Sequence, residues 1–219
     1  MNSKSRNNNY LNIIFKILVL LTLYLLQQLP ATVLTTAASV PTAFAQVKLS
    51  VPFIFLITAC ISIAIMFYLH QRTQKFTTKK LDWQSGIWIV GGAIFNYSIN
   101  MLFLPLMKTS NNANVAAQNQ LMKLFPVLFL IYAVIIAPIS EEIFFRGYLI
   151  NWFFADNLYL GAVVSAIIFG ALHISQDPAY FLSKAILGLT MGIVYLKTKN
   201  IKANIILHVI NNISAFFIG

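Results

Sequence analysis

Residues 124–154 read LFPVLFLIYAVIIAPISEEIFFRGYLINWFF. This apolar stretch holds two adjacent carboxylates, Glu141 and Glu142, although the whole chain has only five acidic residues. A helix of this length would measure about 45 Å, more than the hydrocarbon core of a bilayer. Because Pro126 begins the stretch and Pro138 interrupts it, we expect either a strongly tilted span or a span that kinks at Pro138 and continues as an interfacial helix.

Helical geometry predicts different surroundings for the two carboxylates. Glu142 and Arg146 are four residues apart and share a helix face, so they can form an ion pair. Glu141 points about 100° away from Glu142 and stays free. Ionisable groups inside a membrane are costly and usually face a bundle interior or a wet cavity. One neutralised and one free carboxylate indicate a reaction site, with a purely structural ion pair as the alternative for Glu142 and Arg146.

The composition predicts an all-α, polytopic integral membrane protein. Of 219 residues, 59% are hydrophobic and 9% are charged, whereas a soluble domain carries about 25% charged residues. The net charge of +10 does not indicate nucleic-acid binding, because the Lys and Arg residues lie between apolar runs, where they act as topology signals. The single cysteine, Cys60, excludes an intramolecular disulfide framework and Cys-rich zinc sites.

Apolar runs predict about seven transmembrane helices, and the residues between them predict the topology. The runs cover residues 11–29, 51–69, 86–107, 124–154, 158–174, 179–196 and 203–219. Residues 30–48 and 109–120 are expected to be loops, the first with the option of a partly embedded segment. The basic segments 70–80 and 197–202 should face the cytoplasm, which also places the N-terminus inside. We interpret both segments as topology signals and the first run as a retained helix rather than a cleaved signal peptide.

Polar residues inside the later runs form a second pattern. His173 follows Phe169 by four residues, and His208 precedes Asn212 by four, so each pair shares a helix face. By helix rise, His208 lies about 9 Å into the last run, and His173 and Glu141 each lie roughly 20 Å from their inner helix ends. Four ionisable side chains are therefore able to meet in one cavity: Glu141, Glu142, His173 and His208.

Carboxylate and imidazole groups together are typical of sites that activate water. A free glutamate would accept a proton from water, while His208 and the Asn212 amide would donate hydrogen bonds to an oxyanion. Alternatively, two histidines and one glutamate would bind zinc and leave the other glutamate as the base. Both schemes predict amide hydrolysis, although the His-Glu-x-x-His signature is absent from the sequence.

The three motifs Glu141-Glu142-x-x-x-Arg146, Phe169-x-x-x-His173 and His208-x-x-x-Asn212 resemble the signature of the CPBP family. This family, also called Abi, comprises CaaX-prenyl-protease-type and bacteriocin-processing or self-immunity intramembrane proteases. The resemblance covers residues 124–219, which would form the protease core. Residues 1–123 would supply N-terminal transmembrane helices of the same membrane domain.

The resemblance implies a role for each motif residue. Glu141 would be the general base or part of a metal site with Glu142 beside it, and His173 would help to activate water or act as a ligand. His208 and Asn212 would form the oxyanion side or further ligands, while Arg146 and Phe169 would support the site. Zinc, bound by Glu141, His173 and His208, is one option for a cofactor, and a metal-free glutamate mechanism is the other.

The expected protein is therefore a multi-pass cell-membrane endopeptidase of bacterial type. Its partners would be the lipid bilayer and a membrane-associated peptide or protein, either prenylated or bacteriocin-like. One alternative is a self-immunity protein that protects against a toxin by binding it. A second alternative is a proton-coupled transporter, for which the sequence lacks the usual inverted repeats.

Overall fold

The computed structural model describes residues 3–41, 49–107, 112–173 and 175–218, excluding the side chains of residues 3–9 and 218. The described residues contain helices and no strands, which confirms the all-α class. In chain order the helices are α1 (Ser3–Ser39), α2 (Val51–Thr73), α3 (Trp83–Phe103), α4 (Ala113–Leu124), α5 (Pro126–Phe153), α6 (Leu158–Leu172), α7 (Pro178–Thr198) and α8 (Ile201–Ile218).

Five of these helices are long and apolar enough to cross a membrane, namely α1, α2, α3, α5 and α7. The helices α6 and α8 are apolar but shorter. Large hydrophobic side chains cover the outer faces of the bundle; Phe53 is 70% exposed and Val90 58% exposed. Lipid is the medium that would cover such side chains. The protein is therefore a multi-pass membrane protein. Five helices of spanning length lie among the described residues, so the predicted count of seven is not confirmed.

Two predicted loops are partly helical. The helix α1 continues through Pro30 to Ser39, and the hydroxyls of Thr32 and Thr35 donate to carbonyls four residues earlier, as they can within a helix. Residues 42–48 lie outside the described part of the chain. The second loop contains α4, where the Asn112 side chain accepts hydrogen bonds from two backbone N–H groups and caps the helix. Alanine and glutamine are good helix formers. The prediction of a loop at 109–120 was therefore wrong from residue 113 onward. Residues 108–111 lie outside the described part of the chain.

The helix α5 runs through Pro138 as a mixture of α- and π-helical turns. A π-helical turn at Tyr132–Ile136 precedes the α-helical residues Ala137–Glu142, and Ile143–Phe153 is again π-helical. Wider π-helical turns often occur at functional sites, because they redirect side chains within a continuous helix. The two glutamates stand on the short α-helical segment between such turns.

One hydrophobic cluster joins the N-terminal and C-terminal halves of the chain. It includes Leu23 of α1, Met66 of α2, Phe144 of α5 and Met191 of α7. In addition, Tyr148 of α5 donates a 2.6 Å hydrogen bond to the carbonyl of Met66. The first two helices therefore pack directly against the helix that carries the glutamates.

The helices α6 and α7 lie in close contact. A Cβ atom on Gly188 would lie 3.1 Å from both Ala166 Cα and Phe169 Cβ, and one on Gly192 would lie 3.1 Å from Ala162 Cβ. These glycines let α7 approach α6 more closely than larger residues would allow. Gly188 thereby comes within reach of α5, where its carbonyl has a further role.

Candidate active site

Glu142 is completely buried, and Arg146 neutralises it. Arg146 Nη1 donates to Glu142 Oε1 at 3.1 Å, and Arg146 Nε lies 3.1 Å from Glu142 Oε2. A third nitrogen, Nη2, donates at 2.9 Å to the carbonyl of Gly188 on α7. The predicted ion pair is confirmed, and its arginine also fastens α5 to α7.

His208 stands between the two glutamates. Its Nδ1 lies 2.8 Å from Glu142 Oε1, and its Nε2 lies 3.7 Å from Glu141 Oε2. An ionised carboxylate can only accept a hydrogen bond, so Nδ1 carries the proton. The last helix therefore places its histidine where Glu142 orients the ring and the other ring nitrogen faces Glu141.

Glu141 differs from its neighbour in the way that helical geometry predicted. Its side chain is 21% exposed, and Oε2 has no hydrogen-bond partner among the described residues. Glu142, by contrast, meets both Arg146 and His208. Of the two carboxylates, Glu141 is the one whose side chain reaches the exposed surface, while its buried Oε2 lacks a hydrogen-bond partner in the described ranges.

Phe169 separates the two histidines and supports both. Its ring centroid lies 4.6 Å from that of His173 and 5.9 Å from that of His208, while the guanidinium carbon of Arg146 lies 5.7 Å away. His173 Nδ1 lies 2.7 Å from the carbonyl oxygen of Phe169. Because a carbonyl only accepts, Nδ1 carries the proton, and neutral His173 has a lone pair on Nε2. Among the described residues, His173 makes no direct polar contact with either glutamate.

Pro138 accounts for the position of Asn212. In the preceding π-helical turn, the N–H of Ala137 donates to the carbonyl of Tyr132, five residues earlier. The next residue is Pro138, which has no N–H, so the carbonyl of Ala133 loses the corresponding donor. Asn212 Nδ2 donates to this carbonyl at 2.8 Å. The carbonyl that Pro138 leaves free is thus used to attach α8 to α5.

A chain of amides leads from the third helix to Asn212. Asn100 Nδ2 donates to Asn211 Oδ1 at 3.4 Å, and Asn211 Nδ2 donates to Asn212 Oδ1 at 3.3 Å. Asn100 thus bonds a neighbouring helix. Both polar atoms of the buried Asn96 side chain, by contrast, lack a hydrogen-bond partner among the described residues. One N–H of Asn212 remains for an oxyanion.

Three residues outside the predicted set interact electrostatically with Glu141: Tyr24 of α1, Tyr132 of α5 and Lys184 of α7. Lys184 had a recognisable signal, because it is a lone charge inside the apolar run 179–196 and such charges mark functional sites. The two tyrosines had none, since aromatic residues are common in apolar runs. The first helix thus contributes to the surroundings of Glu141, which its sequence did not indicate.

The side chains at the site are of types that bind zinc, but they are not arranged around a common point. His173 in its neutral form offers a lone pair on Nε2, and imidazole and carboxylate are zinc ligands. However, no three His, Cys, Asp or Glu side chains in the described ranges are arranged to hold a metal ion. The set of Glu141, His173 and His208 therefore does not fit zinc in this arrangement, and we derive no step through a metal.

Comparison with known proteins links the C-terminal part of the chain to a family. Residues 123–214 match the family model described as type II CAAX prenyl endopeptidase Rce1-like. A Bacillus subtilis (strain 168) protein named "Putative membrane peptidase YdiL" is 31% identical over 86 residues, which are 39% of this chain and 34% of that protein.

Two further relatives carry no activity in their names. UPF0177 protein YxdF of Lactococcus lactis subsp. lactis (strain IL1403) is 27% identical over 139 residues, 61% of this chain and 77% of that protein. An uncharacterised protein of Mycoplasma capricolum subsp. capricolum is 32% identical over 103 residues, 45% of this chain and 30% of that protein. The chain thus spans about a third of the Bacillus and Mycoplasma relatives. No solved structure matches the chain significantly.

The matched residues 123–214 include all three motifs and every residue of the cluster built around Glu142. Through this region the chain is similar to the Rce1-like CAAX endopeptidases, which confirms the resemblance to a CPBP-family protease that the motifs predicted.

Proposed function

We propose that this protein is an intramembrane endopeptidase that hydrolyses peptide bonds of membrane-associated substrates with water activated by Glu141. One observation carries the proposal: the two adjacent carboxylates are in different states. Glu142 meets Arg146 at 3.1 Å and His208 at 2.8 Å, whereas Glu141 Oε2 has no hydrogen bond among the described residues and lies 3.7 Å from His208 Nε2. The match of the same region to a CAAX-type endopeptidase family supports peptide hydrolysis as the chemistry.

In the proposed reaction, Glu141 accepts a proton from water as the oxygen of that water attacks the carbonyl carbon of the peptide. His173 Nε2 accepts the second hydrogen bond of the water and orients it. The carbonyl oxygen gains negative charge, and the groups on its side are the free N–H of Asn212 and the Nε2 edge of the His208 ring. Glu141 then passes its proton to the leaving nitrogen, the C–N bond breaks, and a carboxylic acid and an amine are released.

Glu142, Arg146 and Phe169 position these groups and do not touch the substrate. Glu142 orients His208 through Nδ1, Arg146 neutralises Glu142, and Phe169 separates the two imidazoles. A catalytic group must be held close to its productive geometry, which rigid packing in a buried site provides. The sequence alone predicts both glutamates as catalytic residues; in this proposal Glu141, His173, His208 and Asn212 are catalytic, and Glu142 is a positioning residue.

The test is a comparison of membrane-protein termini in cells that carry wild type, Glu141→Gln or His173→Ala at matched expression. Asp156→Asn serves as a control, because it also neutralises a carboxylate but lies exposed in the turn between α5 and α6. We expect a set of new termini in the wild type and the control that is missing in both site variants. Identical termini in all four strains would refute proteolysis. Toxin protection that survives in Glu141→Gln would instead indicate a protein that acts by binding.

A further inference from the structure

Two basic loops from distant parts of the sequence meet on one face of the bundle. The first loop follows α2 and covers residues 74–82, and the second joins α7 to α8 at Lys199 and Asn200. Lys79 N donates to the Lys199 carbonyl at 3.3 Å, and Asn200 Nδ2 donates to the Lys79 carbonyl at 2.7 Å. Asn200 is itself buried, and its Oδ1 accepts from Lys202 N at the start of α8. The two loops are therefore held in one fixed arrangement.

Between the loops is a pocket of about 350 Å³. It is lined by Thr78, Lys79, Lys80, Leu81, Asn200 and Lys202. The three lysines are exposed, and none of them forms an ion pair within the described ranges. The nearby Asp82 interacts with Lys79, but its carboxylate caps α3 by accepting hydrogen bonds from the backbone N–H and hydroxyl of Ser85. The pocket thus keeps a positive charge and has the lower range of volumes seen for small-molecule sites.

This arrangement has an energetic cost in the absence of an anion. The hydrogen bond between Lys79 N and the Lys199 carbonyl brings two lysines of like charge together. Burial and, secondly, the positive charge of Lys79 lower the pKa of Lys199. Lys199 also adopts a left-handed backbone conformation with φ of 50°, which is unfavourable for a residue with a side chain. Repulsion and strain at one place suggest a function that offsets them. A bound anion would reduce the repulsion.

We propose that the pocket formed by Lys79, Lys80, Asn200 and Lys202 binds the phosphate of an anionic lipid headgroup. The pocket lies where two spanning helices end, so a lipid of the adjacent leaflet can reach it. The positive-inside rule predicts that this basic face is cytoplasmic, and the cytoplasmic leaflet carries the anionic lipids. Lysine side chains and backbone N–H groups near a helix start are suited to a phosphate group.

Native mass spectrometry of the detergent-purified full chain tests the proposal, with phosphatidylglycerol or phosphatidylcholine as the added lipid. The variant Lys79→Gln/Lys202→Gln removes two charges from the pocket. The control Lys75→Gln/Lys197→Gln removes two charges beside the pocket, one in the first loop and one in the last turn of α7, at exposed residues that do not line it. We expect phosphatidylglycerol adducts on wild type and control, and roughly 30-fold weaker binding to the pocket variant, from the usual contribution of two lysines near an anionic surface.

A further variant separates a built site from diffuse attraction. Asn200→Ala keeps every charge but removes the hydrogen bond between the loops, so phosphatidylglycerol binding should weaken although the net charge is unchanged. Equal phosphatidylglycerol binding by pocket and control variants would overturn the proposal, as would equal binding of phosphatidylcholine. Inorganic phosphate or glycerol 3-phosphate added alone should not protect the chain from thermal unfolding. Protection by these solutes without lipid binding would show that the ligand is a free phosphate and would also overturn the proposal.

Discussion

Removal of Arg146 should destabilise the protein more than any other single substitution at the candidate active site. The Arg146→Ala variant would leave Glu142 with no exposed surface and without the guanidinium that lies 3.1 Å from each of its oxygens. Breaking a buried ion pair costs about 3–5 kcal/mol, and the Gly188 carbonyl, which accepts from Arg146 at 2.9 Å, would lose a hydrogen bond worth about 1 kcal/mol. Because His208 Nδ1 still donates to Glu142, we take about 3 kcal/mol for the broken ion pair. With the lost hydrogen bond of about 1 kcal/mol, the expected decrease in the free energy of unfolding is about 4 kcal/mol.

This loss is measurable as the free energy of unfolding in mixed micelles titrated with dodecyl sulfate, together with folded yield and activity. All three quantities should fall in Arg146→Ala. The double variant Glu142→Gln/Arg146→Met is the control, because replacing both members of a buried pair costs much less than removing one. It should recover at least half of the lost unfolding free energy but not the activity, since His208 would lack its carboxylate partner. Normal yield, stability and activity in Arg146→Ala would refute the ion-pair argument.

Three other outcomes are expected. Glu141→Gln should abolish hydrolysis but change the unfolding free energy by less than about 0.5 kcal/mol, since Glu141 Oε2 has no partner among the described residues; a large loss of stability would show that Glu141 is structural. Gly147→Ala should cost about 1–3 kcal/mol in the same titration, because the new Cβ would lie 2.7 Å from His70 Nδ1, and His70→Ala should restore most of the loss; no rescue would contradict the clash. Incubation with 1,10-phenanthroline should leave peptide hydrolysis by the purified protein unchanged, as the described residues form no three-ligand metal group; loss of activity that zinc restores would establish the metal mechanism.

Much of the arrangement at α5 was predictable, because it depends on local geometry. Helical spacing alone predicts that Glu142 pairs with Arg146 and that Glu141 does not, and the structure shows both. The missing N–H of Pro138 likewise predicts a free carbonyl near the glutamates. Its partner, Asn212, comes from a helix more than seventy residues later, and no periodicity in the sequence links the two.

The remaining features depend on packing between helices. Whether His208 reaches Glu142 depends on the rotation of α8 about its axis, and the sequence pattern leaves that rotation open. The contribution of Tyr24 depends on how α1 packs against α5, which the uniform apolar character of α1 does not determine. Residues 30–39 were predicted as a loop because of their proline and threonine residues, but the apolar surroundings keep them in α1. Residues 113–120 were predicted as a loop because they lack charge, but the Asn112 cap begins a helix there.

The ion pair within α5 also has a consequence for biosynthesis. During synthesis α5 is complete before α7 and α8 exist, so it must enter the bilayer without the Gly188 carbonyl or His208. Each isolated charge at a helix centre costs about 2.5–3.5 kcal/mol on insertion scales. Because Glu142 and Arg146 lie on one face of the same helix, they can neutralise each other before any other helix arrives. The pair therefore lets the nascent span enter the membrane with one uncompensated carboxylate, that of Glu141, instead of three separate charges.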